Sequence, residues 1–429
     1  MNKRFEKSTQ FLPRAEQVIP LGSQTFSKSK AQYPVGFAPL FAERAKGAFI
    51  WDIDGNRYVD LVSNLASITI GYADQSQNNY VWRQMKKSVG MSLPSKLETI
   101  VAEKISTLVP SMEMMRFAKN GSDATSAAIR LARAYTSRDH VAVCGYHGWQ
   151  DWYIGSTNRN KGVPNSVQQL THTFPYDDLE SLQKVFDEYG DDLACVVLEP
   201  MNRQYPREGF LQTVIEMCEK NGSICVFDET ITGFRFTSGG AQQLFNAKPH
   251  LSTFGKGIAN GYPLSVIGGR KEIMAEMNNI FFSGTFGGEL LSLSAADFVL
   301  EKHLKDEVAP QLASNGSLIT ERQEEILSNH DLSDMLRFSG HTSWKFYEWF
   351  DVGSVSAQDL KTYFAQEMYE NGVLVIGTNN VSLSHNKKAI NLILDKFNDA
   401  ITNIKIALES NSVKERLKFQ PLEPVMKIR

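Results

Sequence analysis

MRFAKNGSDATSAAIRLARAYTSRDHVAVCGYHG, residues 115–148, holds a short apolar strand, a polar turn, an amphipathic helix and a second apolar strand. Met115–Ala118 and Val141–Cys144 are the strands, and Ala124–Tyr135 carries apolar residues at helical spacing. The alternation continues downstream: Ala194–Leu198, Ile224–Phe227, Ser252–Phe254 and Leu264–Gly268 read as strands, Leu179–Glu188 and Leu211–Lys220 as helices. Short, largely apolar runs that alternate with amphipathic helices predict an α/β fold with a large, mostly parallel sheet covered on both faces. In such sheets ligands bind beyond the carboxyl ends of the strands.

Outward from this block the pattern changes. Residues 46–62, KGAFIWDIDGNRYVDLV, alternate around Asp54-Gly55 as a β-hairpin. Helical spacing follows over Gln77–Lys87 and Leu97–Val109. Beyond residue 290 come long helices (Leu291–Val308, Leu318–Leu327, Ala357–Asn371, Lys388–Leu408) with strand candidates Ser343–Trp349 and Val373–Ile376. The expected organisation is an N-terminal segment, 1–60, that helps build a small α+β domain, a large domain over 61–300, and the rest of the small domain over 301–429.

The chain has 429 residues and a net charge of -3, with no basic cluster interleaved with aromatics, which argues against a nucleic-acid partner. No run of about 18 apolar residues suggests a membrane span, and the N-terminus lacks the apolar stretch of a signal peptide. Cys144, Cys195, Cys218 and Cys225 lie in apolar segments without metal-type spacing, so we expect reduced thiols, no metal, and a cytoplasmic protein.

Several motifs fall at expected strand ends. Lys119-Asn120-Gly121-Ser122-Asp123 opens a helix, where free backbone N–H groups and the Ser122 hydroxyl can take an anion; the alternative is that Ser122 simply caps the helix. Ile224–Thr230 is an apolar strand ending in Asp228 and Glu229. A carboxylate there needs a cationic partner, which a protonated pyridine nitrogen would supply; alternatively one of the two caps the next segment or pairs with Arg235. Lys256 stands between Gly255 and Gly257 after a short strand, positioned either as an accessible nucleophile or as a surface lysine. Tyr146-His147-Gly148 follows another strand and offers an aromatic face, and Ser283–Gly288 is a glycine-rich loop with Thr285. Neither a Gly-x-Gly-x-x-Gly fingerprint nor a Walker P-loop is present, which argues against a nicotinamide-linked enzyme.

Taken in order, these segments resemble a family. RAKGAFIWDIDGNRYVD (44–60), NGSDATSAAIRLARAYT (120–136), Tyr146–Gly148, FDETITGFR (227–235) and FGKGIANGYPLSVIGGR (254–270) are similar to the class III aminotransferases among fold-type I pyridoxal-phosphate enzymes, in particular the glutamate-1-semialdehyde aminomutase branch. The resemblance runs from about residue 10 to 405. It implies pyridoxal 5'-phosphate as cofactor, held as a Schiff base on Lys256, with Asp228 on the pyridinium nitrogen and Tyr146 stacked on the ring beside His147. It further implies Gly121 and Ser122 on the phosphate, Glu199 near the pocket, and Asn202, or else Gln204, on the phenolic oxygen. Thr285 would reach the phosphate of a neighbouring subunit, which implies a homodimer with shared sites.

Two positions depart from the aminomutase pattern. Lys28 stands where that branch has an arginine for the substrate carboxylate, and lysine lacks the bidentate fork. Glu289 stands where an asparagine is usual, which would favour hydroxyl or amine groups on a substrate. The expected reaction is therefore ping-pong transamination from a donor such as glutamate to a small or sugar-derived carbonyl compound. Intramolecular transfer, as in the aminomutases, is the alternative, kept open by a gating-loop-like segment at Gly155–Pro164. A non-catalytic protein on the same fold is the alternative of another class.

Overall fold

A seven-stranded sheet runs in the order Met114–Ala118, Ser265–Gly269, Leu251–Phe254, Ile224–Glu229, Leu193–Leu198, His140–Cys144, Thr171–Thr173. Only Ser265–Gly269 is antiparallel to its neighbours; the remaining pairs are parallel. The computed structural model describes residues 3–421, and this sheet belongs to a unit formed by residues 75–310.

Every residue of Leu193–Leu198 and Ile224–Glu229 is buried, as expected for central strands covered on both faces. Alternate side chains go to opposite layers. Val197 and Val226 pack with Ala128, Leu131 and Ala132 of the helix Gly121–Thr136. Val196, Leu198, Cys225 and Phe227 pack instead with Leu211, Val214 and Cys218 of the helix Phe210–Asn221 and with Leu182 and Phe186 of Leu179–Tyr189. Burying each such side chain contributes about 1.5–3 kcal/mol. The parallel register sets Asp228 beside Thr253 and Leu198 beside Phe227, so the strands end together.

The second unit comprises residues 3–74 and 311–421. The predicted hairpin is present: Phe49–Asp52 pairs antiparallel with Arg57–Asp60, and Gly55 takes φ +89° in the turn. These strands lie between Ala42–Lys46 and Val373–Leu374 in a four-stranded sheet, and Leu336–His341, Trp344–Trp349 and Thr378–Asn380 form a three-stranded one. The chain passes between the units at 74/75 and 310/311, where the sequence reading had 60/61 and 300/301. Residues 61–74 are tied into this unit by bonds such as Leu61 N–H to Leu374 O (3.0 Å) and Leu383 N–H to Thr69 O (2.8 Å).

Three details differ from expectation. The edge strand Thr171–Thr173 is short and polar and leaves no apolar signal. The helix Leu290–Leu304 stops short of Val308, where Asp306 turns left-handed at φ +56°. The helix expected over 318–327 spans Ala309–Asn329 and passes through Gly316. A Cβ at Gly316 would lie 1.9 Å from the Thr342 carbonyl oxygen, so this glycine serves a close approach and does not break the helix.

Candidate active site

The carboxyl ends of four neighbouring strands in the 75–310 unit bring the predicted chemical groups together. Asp228 is buried at the end of Ile224–Glu229. Its Oδ1 accepts hydrogen bonds from the Thr230 N–H (3.1 Å), the Thr230 hydroxyl (2.5 Å) and the Thr253 hydroxyl (3.0 Å). Its Oδ2 lies 2.9 Å from His147 Nδ1. Oδ1 is saturated, and Oδ2 retains room for one more donor.

His147 is buried, and its other nitrogen, Nε2, lies 2.9 Å from the Cys144 carbonyl oxygen. A carbonyl can only accept, so Nε2 carries a proton. An ionised Asp228 asks for a second proton on Nδ1, which makes the ring an imidazolium. Burial alone would lower the His147 pKa, but the bond to Asp228 and its charge more than offset that, and the pKa is raised. Burial likewise opposes ionisation of Asp228, yet His147 and Thr230 hold its pKa below the usual carboxylate range.

Lys256 follows the strand Leu251–Phe254 and opens a tight 3-10 turn, Lys256–Ala259. Its φ of +42° is left-handed, a conformation a non-glycine residue keeps only where its surroundings impose it. The neighbouring Ile258 and Ala259 are fully buried in an apolar cluster. Burial pulls the Lys256 pKa down to about 8, although the charges of Glu199 and Asp228 act to raise it. The surface-lysine alternative therefore does not describe it.

The anion turn lies against the same strand end. Gly121 and Ser122 begin the helix Gly121–Thr136, where first-turn N–H groups have no intrahelical acceptor. Asp123 folds back to accept from the Asn120 N–H (2.8 Å). A Cβ at Gly121 would come within 2.9 Å of the Thr230 methyl group. Gly148, at φ +107°, lets the Tyr146 loop approach: a Cβ there would sit 2.2 Å from Ser122 Oγ. The Trp149 N–H bonds to Ser122 Oγ at 3.4 Å, and the Thr125 hydroxyl to the His147 carbonyl at 2.9 Å.

Glu199, buried at the end of Leu193–Leu198, accepts from the Tyr146 N–H (3.2 Å) and from Asn202 Nδ2 (2.8 Å) through one oxygen, Oε2. Burial raises its pKa. Asn202, the first of the two candidates for its motif, is thus in the cluster. Tyr146 is half exposed, its ring nearly perpendicular to that of Tyr153 with centroids 5.6 Å apart.

Other expectations change. Glu229, not Asp228, takes the capping role: buried, it accepts from the Ala241 and Gln242 N–H groups (both 2.7 Å) and from the Thr232 hydroxyl. Glu289, expected beside a substrate, is bonded within the fold. Its oxygens accept from the Leu291 (2.8 Å) and Ser292 (3.0 Å) N–H groups at the start of Leu290–Leu304, and Oε2 also lies 3.0 Å from Lys119 Nζ. With those bonds its carboxylate is occupied by a helix cap and an ion pair, and its pKa is lowered. Thr285 lies in an exposed loop between Phe281 and Phe286. Lys28 belongs to the other unit, where its ammonium donates to Asn64 Oδ1 at 2.5 Å. Thr230 and Thr253, which hold Asp228, were not anticipated. Thr230 was legible as the hydroxyl next to a strand-end carboxylate, whereas Thr253 reaches Asp228 only through the sheet register.

Residues 31–401 match the family described as aminotransferase class-III. Glutamate-1-semialdehyde 2,1-aminomutase of Francisella philomiragia subsp. philomiragia is 33% identical over 78% of this chain and 83% of that protein. The enzyme of the same name from Francisella tularensis subsp. holarctica is 33% identical over 84% and 89%. Among solved structures, the PLP internal aldimine form of the FumI protein of Sphingopyxis sp. MTA144 superposes with TM-score 0.88 at 26% identity, covering 97% of this chain and 99% of that one. A glutamate-1-semialdehyde aminomutase from Pseudomonas aeruginosa PAO1 superposes with TM-score 0.82 at 20% identity, over 94% and 96%, a likeness of fold.

Proposed function

The chain belongs to the class III aminotransferase family, and from that premise we propose that it is a pyridoxal-phosphate-dependent transaminase in which Asp228, His147 and Lys256 form the catalytic core. The observation that carries this reading is the buried Asp228–His147 pair at one strand end, with the low-pKa Lys256 after the next.

The residues present fit the cofactor. Asp228 Oδ2, the oxygen with acceptor capacity left, would take the pyridinium N–H. Gly121 and Ser122 would hold the phosphate, in a turn that Gly148 leaves open. Tyr146 would cover one ring face, and Glu199 with Asn202 would sit by the phenolic oxygen. Pyridoxal phosphate, when bound, supplies the carbonyl that exchanges amino groups and a ring that withdraws electrons from the substrate carbon. The chain's own part is to keep Asp228 ionised by placing a cation on its far side, and to present at Lys256 Nζ an amine that gives and takes a proton near neutral pH.

Transfer runs in two halves, from an amino donor, glutamate being the first candidate, and then to a small carbonyl acceptor. Glu289 lends no support to a hydroxylated acceptor, because its oxygens are occupied within the fold. The relatives' name keeps intramolecular transfer as the second reading. Incubating the holoenzyme with glutamate alone decides between them. Release of 2-oxoglutarate with loss of the cofactor's visible absorbance supports transamination; turnover of glutamate-1-semialdehyde without any donor supports the mutase. A protein that takes up no pyridoxal phosphate, or whose Lys256→Ala variant keeps the same visible band, removes both.

We further infer a homodimer whose subunits complete each other's sites through Thr285. Phe281 (83% exposed), Phe286 (66%) and Leu93 (78%) leave apolar surface that a second copy would cover. Sedimentation of the holoenzyme should give a dimer, and Phe281→Asp should weaken it. No helix among the described residues is long and apolar enough to cross a membrane. The four buried free cysteines fit the reducing cytoplasm.

A further inference from the structure

Gln77 stands where the packing would suit an apolar side chain. It and Val81, one helical turn on, are buried residues of the helix Gln75–Met85. Val81 packs in one apolar cluster with Ile258, Ala259, Leu293, Ala295 and Ala296. An amide set against such a cluster is unfavourable unless its polar atoms find partners. Those partners lie largely on the turn that carries Lys256. Gln77 Nε2 donates to the Ala259 carbonyl (3.2 Å) and to the Ala295 carbonyl (3.3 Å), and Oε1 accepts from Asn260 Nδ2 at 2.8 Å. Asn260 is itself buried.

The turn is one that its own bonds hold weakly. Two non-glycine residues in the left-handed region bracket it, Lys256 at φ +42° and Asn260 at +49°, and there each Cβ crowds the following carbonyl. The bonds within it reach back only three residues, a poorer geometry than that of an α-helix. They run from the Ile258 N–H to the Gly255 carbonyl (3.1 Å), from Asn260 to Gly257 (3.4 Å) and from Tyr262 to Ala259 (3.3 Å). Gln77 adds two bonds at the far end of the turn, and through Ala295 it fastens that end to the helix Leu290–Leu304. A methionine would fill much the same space without bonding to anything, so what the amide adds is the hold on the turn.

We propose that Gln77 and Asn260 are positioning residues for Lys256: their buried amide pair keeps the left-handed turn closed and the Lys256 amine drawn in at the strand end next to that of Asp228. This deepens the transaminase reading, on which it rests for the role of Lys256. With the turn closed, burial keeps the amine near a pKa of about 8; a relaxed turn would let water reach it and return it toward its ordinary 10.5.

Acetic anhydride acylates neutral amines, so the pH profile of Lys256 labelling in the full chain freed of cofactor, read by peptide mass, follows its titration without any amino transfer. Wild type should show a midpoint near 8. Gln77→Met should raise that midpoint by about one unit, a tenfold loss of neutral amine at pH 8, and should slow uptake of pyridoxal phosphate at that pH by a similar factor. Asn260→Gly retains the positive φ and deletes only the amide; it should act in the same direction and serves in place of Gln77→Met if that variant does not fold. Removing both members of a buried polar pair is less costly than removing one, so Gln77→Met with Asn260→Gly should regain thermal stability relative to Gln77→Met while its Lys256 midpoint stays raised. The proposal is overturned if Gln77→Met and Asn260→Gly label with the wild-type profile. It is also overturned if the midpoint returns to the wild-type value in the double variant, the mark of a merely structural role. A wild-type chain that shows the Gln77-dependent profile but takes up no pyridoxal phosphate would remove the transaminase reading and leave the positioning role standing.

Discussion

His147 Nδ1 lies 2.9 Å from Asp228 Oδ2 while its Nε2 faces the Cys144 carbonyl at 2.9 Å, so one buried ring donates at both ends. The pair joins two strand ends and puts a cation behind the carboxylate on which the proposed chemistry depends.

Removing the ring should be costly. His147→Leu leaves Asp228 buried without its cation and is expected to lose about 3–5 kcal/mol of stability. The sign of the pH dependence follows from the two shifts. The raised His147 pKa gives a contribution that is complete below about 6.5 and fades as pH rises through the folded-state value. The lowered Asp228 pKa gives one that is complete above about 3.9 and fades as pH falls through its folded-state value. Denaturant unfolding of wild type and variant across pH should therefore show their largest difference in mildly acidic buffer. A difference that does not vary with pH would refute the ion pair.

Lys256 should titrate in the working range. Burial brings its pKa to about 8, and only the neutral amine attacks a carbonyl. The rate at which apoenzyme takes up pyridoxal phosphate, followed by absorbance, should rise with pH and level off above about 8. A plateau displaced to pH 10 would mean an ordinary, solvated lysine. Lys256→Ala should lower amino transfer by at least the 10^2–10^4-fold typical of a lost proton-transfer group.

Glu289 offers a test of structure against sequence expectation. Glu289→Ala removes the cap of Leu290–Leu304 and the Lys119 partner, and should cost about 1–2 kcal/mol. Thermal unfolding should register that loss, and the ranking of acceptor substrates should not change. A changed ranking with unchanged stability would restore Glu289 to the substrate pocket.

Gly148→Ala probes the phosphate turn. At φ +107° the new methyl group is strained and would meet Ser122 Oγ at 2.2 Å, so Ser122 must move. The cofactor dissociation constant should rise about tenfold, roughly 1.4 kcal/mol, with a smaller effect on kcat once the cofactor saturates. Unaltered cofactor affinity would separate Ser122 from phosphate binding.

The strand–helix alternation from 114 to 270 was legible because the strands Leu193–Leu198 and Ile224–Phe227 at its centre are apolar on both faces and the crossover helices on one, and both patterns are local in sequence. The placement of Asp228, Lys256 and Gly121-Ser122 followed, since each directly ends a strand or opens a turn. The short polar edge strand Thr171–Thr173 left no such mark. Gly316 was concealed because what it accommodates, the Thr342 carbonyl, lies elsewhere in the chain.

Taken alone, the sequence of this class III aminotransferase determined the apolar strands of the large sheet, which motifs lie at their ends, and through them the family and its cofactor. Tertiary structure decided which groups are charged and which are already occupied. His147 gains its second proton from a carboxylate 81 residues away, and Asp228 gains the Thr253 hydroxyl from sheet register. Glu289 is taken up by a helix end and Lys119, while the Lys28 ammonium finds Asn64, 36 residues along the chain. The physical reason is one of range: periodicity records whether a side chain is buried, whereas its protonation and hydrogen-bond partners depend on groups that only folding brings within about 3 Å.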